Sequence, residues 1–477
     1  MQEINQVFNK KKVYAISLVV VLGGFLFGYD TAVISGTVES LNKFFVEPLS
    51  LSEKYANSLL GFIVSSALIG CILGSALGGY LSQKMGRKKS LILAAALFIV
   101  SSIGSAWPEI GLAAVGKGDY NVLTPFIIYR IIGGIGIGIA SVLSPMYIAE
   151  VAPAAIRGKL VSWNQMAIVS GILIVYFVNY FIARLGGEEW LSKLGWRYMF
   201  LSEFIPAFLF FCLLWLVPES PRWLALSGKN EKAFKILKSF SGEKNAKKEL
   251  EAILGSLKQH TGKLLSFGLT ILIVGMLLSA FQQLVGIQVM IYYAPEIFRN
   301  MGNSINSSMF QTVLVGATNL IFTIVAIYTV DRWGRKPLLL TGSILMMCFM
   351  FVIGFSFYFQ SFGILSLISV LGFVAAFSFS WGPVTWVLLS EMFPNTIRSK
   401  AMSVAVAVQW IMNYSVSSTF PLLDRNTWLV EKFNHSISFW IFGIMAFLSF
   451  IFVWKMIPET KGKSLEEMEK YWNKNKI

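Results

Sequence analysis

Twelve apolar runs, each about long enough to cross a bilayer, constrain this chain more than any other feature. A spanning helix needs about 20 mostly apolar residues. Candidates lie near 14–35, 57–81, 90–107, 122–150, 159–182 and 197–217, then near 266–298, 309–330, 337–358, 361–390, 399–421 and 436–457. Several run long, which implies tilt or ends that protrude from the bilayer. The composition agrees: 55% of residues are hydrophobic and 14% are charged, where a soluble protein carries about 25% charged residues. Lys10, Lys11 and Lys12 ahead of the first run resemble a signal peptide. That run ends in Gly28-Tyr29-Asp30 with no small-residue cleavage site, so it reads as a retained first helix. The expected class is an all-α integral membrane protein.

Charge placement predicts the orientation. The connector 82–89 holds Lys84, Arg87, Lys88 and Lys89 and no acid, and 222–263 holds ten Lys/Arg against four Glu. The connector after the first run instead mixes Lys43 and Lys54 with Glu39, Glu47 and Glu53. The positive-inside rule puts the basic connectors, and with them both termini, in the cytoplasm of a cell (inner) membrane protein. The net charge of +15 is then a topology signal and not a nucleic-acid footprint. Leu224, Leu226, Phe234, Ile236, Leu237, Phe240, Leu250, Ile253 and Leu254 fall at roughly helical spacing, which predicts short amphipathic helices on the cytoplasmic side. The expected divisions are residues 1–220 and 266–460 as six-helix halves, 221–265 as the linker and 461–477 as the tail.

Catalytic chemistry finds no foothold. Cys71, Cys212 and Cys348 sit inside apolar runs and read as buried thiols. His260 and His435 read as wetted loop residues. No His/Cys/carboxylate cluster has metal-ligand spacing and no Ser-His-Asp set stands out, so neither an enzyme, a metal nor a cofactor is expected. A sensor built on a transporter scaffold would call for a long signalling tail, whereas about twenty residues follow the last run.

The two halves echo each other. Gly86-Arg87-Lys88 recurs as Gly334-Arg335-Lys336, Glu150 with Arg157 recurs as Glu391 with Arg398, and Pro218-Glu219-Ser220-Pro221-Arg222 recurs loosely as Pro458-Glu459-Thr460-Lys461. All copies fall on the same side of the membrane. The repeat is therefore parallel: two six-helix halves related by an axis along the membrane normal, a transporter architecture.

The runs Phe27-Gly28-Tyr29-Asp30-Thr31-Ala32-Val33-Ile34-Ser35-Gly36, Tyr129-Arg130-Ile131-Ile132-Gly133-Gly134, Pro218-Glu219-Ser220-Pro221-Arg222-Trp223, Gln282-Gln283-Leu284-Val285-Gly286 and Pro458-Glu459-Thr460-Lys461-Gly462 carry a specific likeness. Over essentially its whole length the chain resembles the sugar porter family of the major facilitator superfamily. The resemblance implies a monosaccharide carrier working by alternating access, proton as the coupled ion, the lipid bilayer as surroundings, and nothing beyond a monomer. It also implies that Gly86, Arg87, Glu150, Arg157, Glu219, Arg222, Gly334, Arg335, Glu391, Arg398 and Glu459 form a salt-bridge network that closes a cytoplasmic gate.

Three charged residues fall well within apolar runs: Asp30, Arg130 and Glu203. An intramembrane charge costs at least about 2.5 kcal/mol, so each marks function and a partner. At 1.5 Å of rise per residue, Asp30 lies roughly 25 Å along a helix entering from the cytoplasm, and Arg130 and Glu203 roughly 12 and 10 Å along helices entering from outside. All three reach a similar depth. A guanidinium facing a carboxylate holds it as the ion, and protonating Asp30 would release Arg130. In the family the matching Asp and Arg couple the proton and the matching Glu assists, while purely facilitative relatives tend to carry Asn for Asp30.

A neutral sugar needs groups that donate and accept hydrogen bonds and an apolar plate for its C–H face. Gln165, Gln282, Gln283, Gln288 and Gln409 beside Trp410 supply mid-membrane amides, and Trp386 follows a Gly382-Pro383 helix breaker. Each alone could be interhelical glue. The resemblance assigns the set to sugar, with Phe27, Ile172, Tyr292, Tyr293 and Asn319 near the cavity. A bacterial xylose carrier of the family has Gln where this chain has Ile172 and Asn where it has Gln288, and animal glucose transporters carry Ile at the first position. D-xylose is the first expectation, D-glucose or another hexose the alternative, and facilitated uniport the alternative to symport.

Overall fold

The computed structural model describes residues 9–114, 116–153, 156–257, 266–394, 397–461, 467–468 and 471–472, and these hold helices and no strand. Eleven helices are long and apolar enough to cross a membrane: Lys10–Gly36, Glu53–Met85, Arg87–Ala106, Tyr120–Val151, Arg157–Ala183, Glu188–Leu214, Thr270–Tyr292, Ile305–Val330, Arg335–Tyr358, Ile364–Met392 and Ser436–Met456. Arg398–Asp424 is the other spanning helix. It is less apolar because Gln409, Asn413 and a run of serines interrupt it. It is sheltered between helices of both halves, against Glu53–Met85 and Thr270–Leu284. In chain order these are spans one to twelve.

Spans pack closely where glycine removes a side chain. A Cβ on Gly28 would run into the carbonyl of Ile168, and one on Gly171 into that of Phe25, so spans one and five meet backbone to backbone. Span seven, expected as one run over 266–298, is instead broken. Thr270–Leu284 is followed by Ile287–Tyr292 and Ala294–Asn300. The break is at Gly286, whose φ of 91° suits a residue without Cβ and whose Cβ would lie 2.6 Å from the Phe442 ring. Span ten breaks at Ser380, between Ile364–Phe379 and Trp381–Met392. Pro383 supplies no N–H to the Phe379 carbonyl four residues back, which accounts for a break just upstream of the Gly-Pro pair.

The sequence repeat is a structural repeat in atomic detail. Gly86 (φ 93°) and Gly334 (φ 92°) turn the chain between spans two and three and between spans eight and nine. Arg87 grips Glu150 with two hydrogen bonds, Nε–Oε2 2.9 Å and Nη2–Oε1 2.8 Å, and Arg335 grips Glu391 likewise at 3.1 and 2.8 Å. Glu219 caps span three by accepting from the N–H groups of Arg87 (2.9 Å) and Lys88 (3.1 Å). Glu459 caps span nine from Arg335 (3.1 Å) and Lys336 (3.0 Å). A carboxylate at a helix N-terminus meets orphan donors and the positive end of the helix dipole.

The linker begins with Pro221–Leu226 and continues over Asn230–Leu257, kinked at Gly242 (φ 76°). Leu224, Ala225 and Ala233 form a small core of their own with Ile236, Leu250, Ile253 and Leu254. Leu226, expected on the apolar face, is exposed. The Asn9 N–H donates to the Phe240 carbonyl at 2.7 Å, so the first span starts against the linker. Residues 258–265, His260 among them, lie outside the described set.

Two expectations about side chains need correction. Cys71 is buried, but Cys212 and Cys348 are exposed on the outside of the bundle, where apolar surface faces lipid as readily as core. His435 is not simply wetted: its Nδ1 lies 3.2 Å from Asp424 Oδ1 and its side chain is 24% exposed.

Candidate functional site

Asp30, Arg130 and Glu203 converge inside the N-terminal half. Arg130 Nη1 donates to Asp30 Oδ1, with both side chains almost completely buried. The guanidinium also stacks over Phe200, 5.1 Å from the ring centroid. Glu203 is fully buried and sits in the field of both partners. Asp30 Oδ2, Arg130 Nε and both Glu203 oxygens find no hydrogen-bond partner among the described residues. Buried polar atoms left so are costly and point to a site that changes state.

The amides gather in the C-terminal half. Gln282 Nε2 donates to the carbonyls of Trp381 (3.0 Å) and Gly382 (3.2 Å), at the broken turn of span ten. Its Oε1 accepts from Gln283 at 3.4 Å and from Gln409. Trp381 is fixed by its indole N–H on Ser343 Oγ, 2.9 Å. Trp410 stands 5.6 Å from Phe27 of span one, ring to ring. Asn319 accepts from Ser378 at 2.9 Å. Gln165, Gln288 and Trp386 are partly buried, and Ile172 is buried. The sequence reading missed Trp381, Ser378 and Asn413, the last of which faces the Tyr292 hydroxyl.

The two clusters are linked. Tyr292 lies within electrostatic reach of Asp30 and Arg130. Tyr176 of span five donates to the Ile291 carbonyl at 2.8 Å, and Tyr293 donates to the Ser417 carbonyl at 2.8 Å.

The expected gate residues lie together at the basic end of the bundle, and the ion pairs found there among the described residues each join helices of one half. Arg87–Glu150 joins helices of one half and Arg335–Glu391 helices of the other. Arg157 and Arg398 point to carbonyls of their own halves, Ala152 (3.4 Å) and Phe393 (3.2 Å), and Arg222 is exposed. The halves are bridged at the opposite, far end. Arg425 pairs with Glu296 (2.6 Å) and across the seam with Glu39 (3.1 Å). Asn57 donates to the Arg425 carbonyl at 3.2 Å, and Glu53 accepts from Thr427 at 2.8 and 2.7 Å. A cavity of 520 Å³ sits here, bordered by Glu39, Asn57, Glu296, Asp424 and His435. Burial works against the Arg425 charge, and Glu296 and Glu39 more than offset it. A second buried ion pair, Arg197–Glu109 at 2.9 Å, lies toward this end and was also missed; Arg197 stands at the first position of the run expected over 197–217, whereas span six begins at Glu188.

Two six-helix halves, a buried acid–base pair in one and an amide cluster in the other form a pattern that can be compared with known proteins, and the Sugar (and other) transporter profile matches residues 16–472. The chain belongs to that family. It is 56% identical to the D-xylose-proton symporter of Escherichia coli (strain K12), over 98% of this chain and 97% of that one. It is 39% identical to the glucose facilitated diffusion protein of Zymomonas mobilis, over 97% and 98%. The inward open conformation of the xylose transporter XylE from E. coli superposes with a TM-score of 0.88 at 54% identity, covering 96% of this chain and all of that one. The homologues are transporters, and the chain is a multi-pass membrane protein.

Proposed function

We propose that this chain is a proton-coupled symporter that imports D-xylose by alternating access. The observation that carries the reading is the buried Asp30–Arg130 pair beside an unpaired Glu203. It stands in a chain 56% identical to a D-xylose-proton symporter. Asp30 takes the proton and releases Arg130, Glu203 assists, and Tyr292 carries the change to the amides. Residues 1–220 handle the proton, 266–460 hold most sugar contacts, and the 221–265 linker and 461–477 tail lie in the cytoplasm with the basic end. The protein works as a monomer in the cell (inner) membrane with both termini inside. Gln165, Gln282, Gln283, Gln288 and Gln409 supply the hydrogen bonds, Trp386 and Trp410 the plates.

Asp30→Asn should lower uphill D-xylose uptake in energised vesicles by about 100-fold, two powers of ten and so about 2.7 kcal/mol of coupling, while sugar counterflow persists. Concentrative uptake that survives the substitution, or that a proton uncoupler leaves intact, overturns the assignment. Gln283→Ala should weaken D-xylose binding about tenfold by calorimetry, the worth of about one buried hydrogen bond. A second reading, a hexose, is favoured by Ile172, an apolar residue that is buried at the position where the sequence comparison above expects an amide in a bacterial xylose carrier. Counterflow with a panel of labelled pentoses and hexoses separates the two.

A further inference from the structure

Ser101 lies in span three, fully buried. Several buried serines on these helices turn onto their own carbonyls, Ser65 Oγ to Gly61, Ser90 Oγ to Gly86 and Ser102 Oγ to Ile99, whereas Ser105 of span three and Ser144 of span four, like Ser101, have no partner among the described residues. Turning back onto the helix is the default for a helical serine. Ser101 Oγ makes no such bond and has no partner among the described residues. Asp30 gives one oxygen, Oδ1, to Arg130 and leaves Oδ2 equally without a partner.

The two orphan oxygens face one spot. A Cβ built on Gly133 of span four would collide with Ser101 Oγ and lie 2.9 Å from Asp30 Oδ2. The two oxygens are therefore no farther apart than one bridging water spans, two hydrogen bonds of about 2.8 Å end to end. Gly133 sits inside a regular helix, where glycine costs roughly 0.5–1 kcal/mol relative to alanine. Space, not backbone angle, is what this position needs.

We propose that Ser101 is a positioning residue for the proton carried at Asp30, acting on Oδ2 across the gap that Gly133 leaves. A hydroxyl both donates and accepts. Toward the ionised carboxylate, Ser101 donates to Oδ2, directly or through one water. When a proton from solution binds Oδ2, the new carboxylic O–H donates and the same hydroxyl accepts. No bond of Ser101 breaks and no net proton leaves it. Arg130 and Ser101 thus hold opposite oxygens of one carboxyl group, so the proton arrives on the side away from the guanidinium. The other titratable groups facing Asp30 are Glu203 of span six, Cys71 of span two and Tyr292 of span seven.

The proposal rests on Asp30 as the proton carrier, and the test separates the two. The full chain is reconstituted in liposomes, and uphill D-xylose uptake is followed against external pH, with counterflow as the measure of folded carrier. Removing a donor to the charged form favours the proton. Ser101→Ala should therefore move the midpoint of the pH profile upward by about half a unit, a threefold change in proton affinity. Ser101→Thr keeps the hydroxyl and should restore the midpoint. Gly133→Ala fills the gap and should shift the midpoint too. The shift should persist in a Glu203→Gln background, which removes the neighbouring acid. A midpoint unchanged in both Ser101→Ala and Gly133→Ala, with uphill uptake still abolished by Asp30→Asn, overturns the role of Ser101 alone. Uphill uptake retained by Asp30→Asn overturns the reading beneath it.

Discussion

The two ends of the bundle use charge in opposite ways. At the basic end, the paired arginines serve their own halves: Arg87 with Glu150, Arg335 with Glu391, each repeated almost bond for bond. At the far end, the ion pairs and hydrogen bonds cross between halves, through Arg425 to Glu39, Asn57 to the Arg425 carbonyl and Glu53 to Thr427. Internal pairs make each half a rigid body, while crossing pairs decide how the bodies lie. The resemblance pointed to the basic end as the place where charges shut the carrier. The side-chain contacts that join the halves are at the other end.

That comparison can be broken in three ways. The largest effect is expected from Arg425→Ala, which frees the seam and leaves Glu296 buried without its cation. Loss of one partner of a buried pair costs about 3–5 kcal/mol, and the partial exposure here puts the effect at the low end. Distances between spin labels on the two halves at the far end should lengthen in the sugar-free protein; an unchanged distribution removes Arg425 from the closure. Next comes Arg87→Lys, which cannot grip Glu150 with two parallel bonds. It should cost about 1.5–3 kcal/mol of thermal stability, the worth of a hydrogen bond to a charged group, and leave the far-end distances alone. If it shifts those distances as Arg425→Ala does, the division of labour is wrong.

The smallest effect is a pH response of opposite sign at the two ends. Burial disfavours charged His435, but the hydrogen bond and charge of Asp424, with Glu296 behind, raise its pKa above the ordinary value. The ion pair it forms with Asp424 is complete below that ordinary value and fades as pH rises through the raised one. Burial likewise disfavours charged Glu459, but the N–H groups of Lys461, Arg335, Lys336 and Thr460 lower its pKa. Its cap is complete above the ordinary carboxylate value and fades as pH falls through the lowered one. Thermal stability read from acid to alkaline pH, with His435→Ala and Glu459→Gln as controls, should lose the His435 contribution toward alkaline pH and the Glu459 contribution toward acid pH.

How far the sequence reading reached follows from physical range. Long apolar runs are local, so the spans were readable. The meeting of Asp30, Arg130 and Glu203 was also readable, because helix rise alone puts them at one depth. The repeat was readable because its turns carry unusual residues, glycine at positive φ and arginine beside it. The far-end cluster was not. Glu39 and Glu296 sit in short helical segments and Asp424 with Arg425 at the end of span eleven, far apart in the chain, and only the packed halves bring them together. Gly286 looked like a motif residue and not a break, because a run of apolar residues continues on both sides. His435 was misread because a loop position says nothing of an acid folded against it. Cys212 and Cys348 were misread because an apolar run does not say which face meets lipid.

The amide cluster has one further consequence. Gln282 holds two backbone carbonyls and two neighbouring amides. A sugar held at these amides, as proposed above, would therefore exchange partners with the protein more than gather new ones. Such a trade is close to neutral in free energy, so grip stays modest and letting go stays fast. A receptor would be poorly served by that balance, whereas a carrier is limited by release as much as by capture, and its cycling rate depends on it.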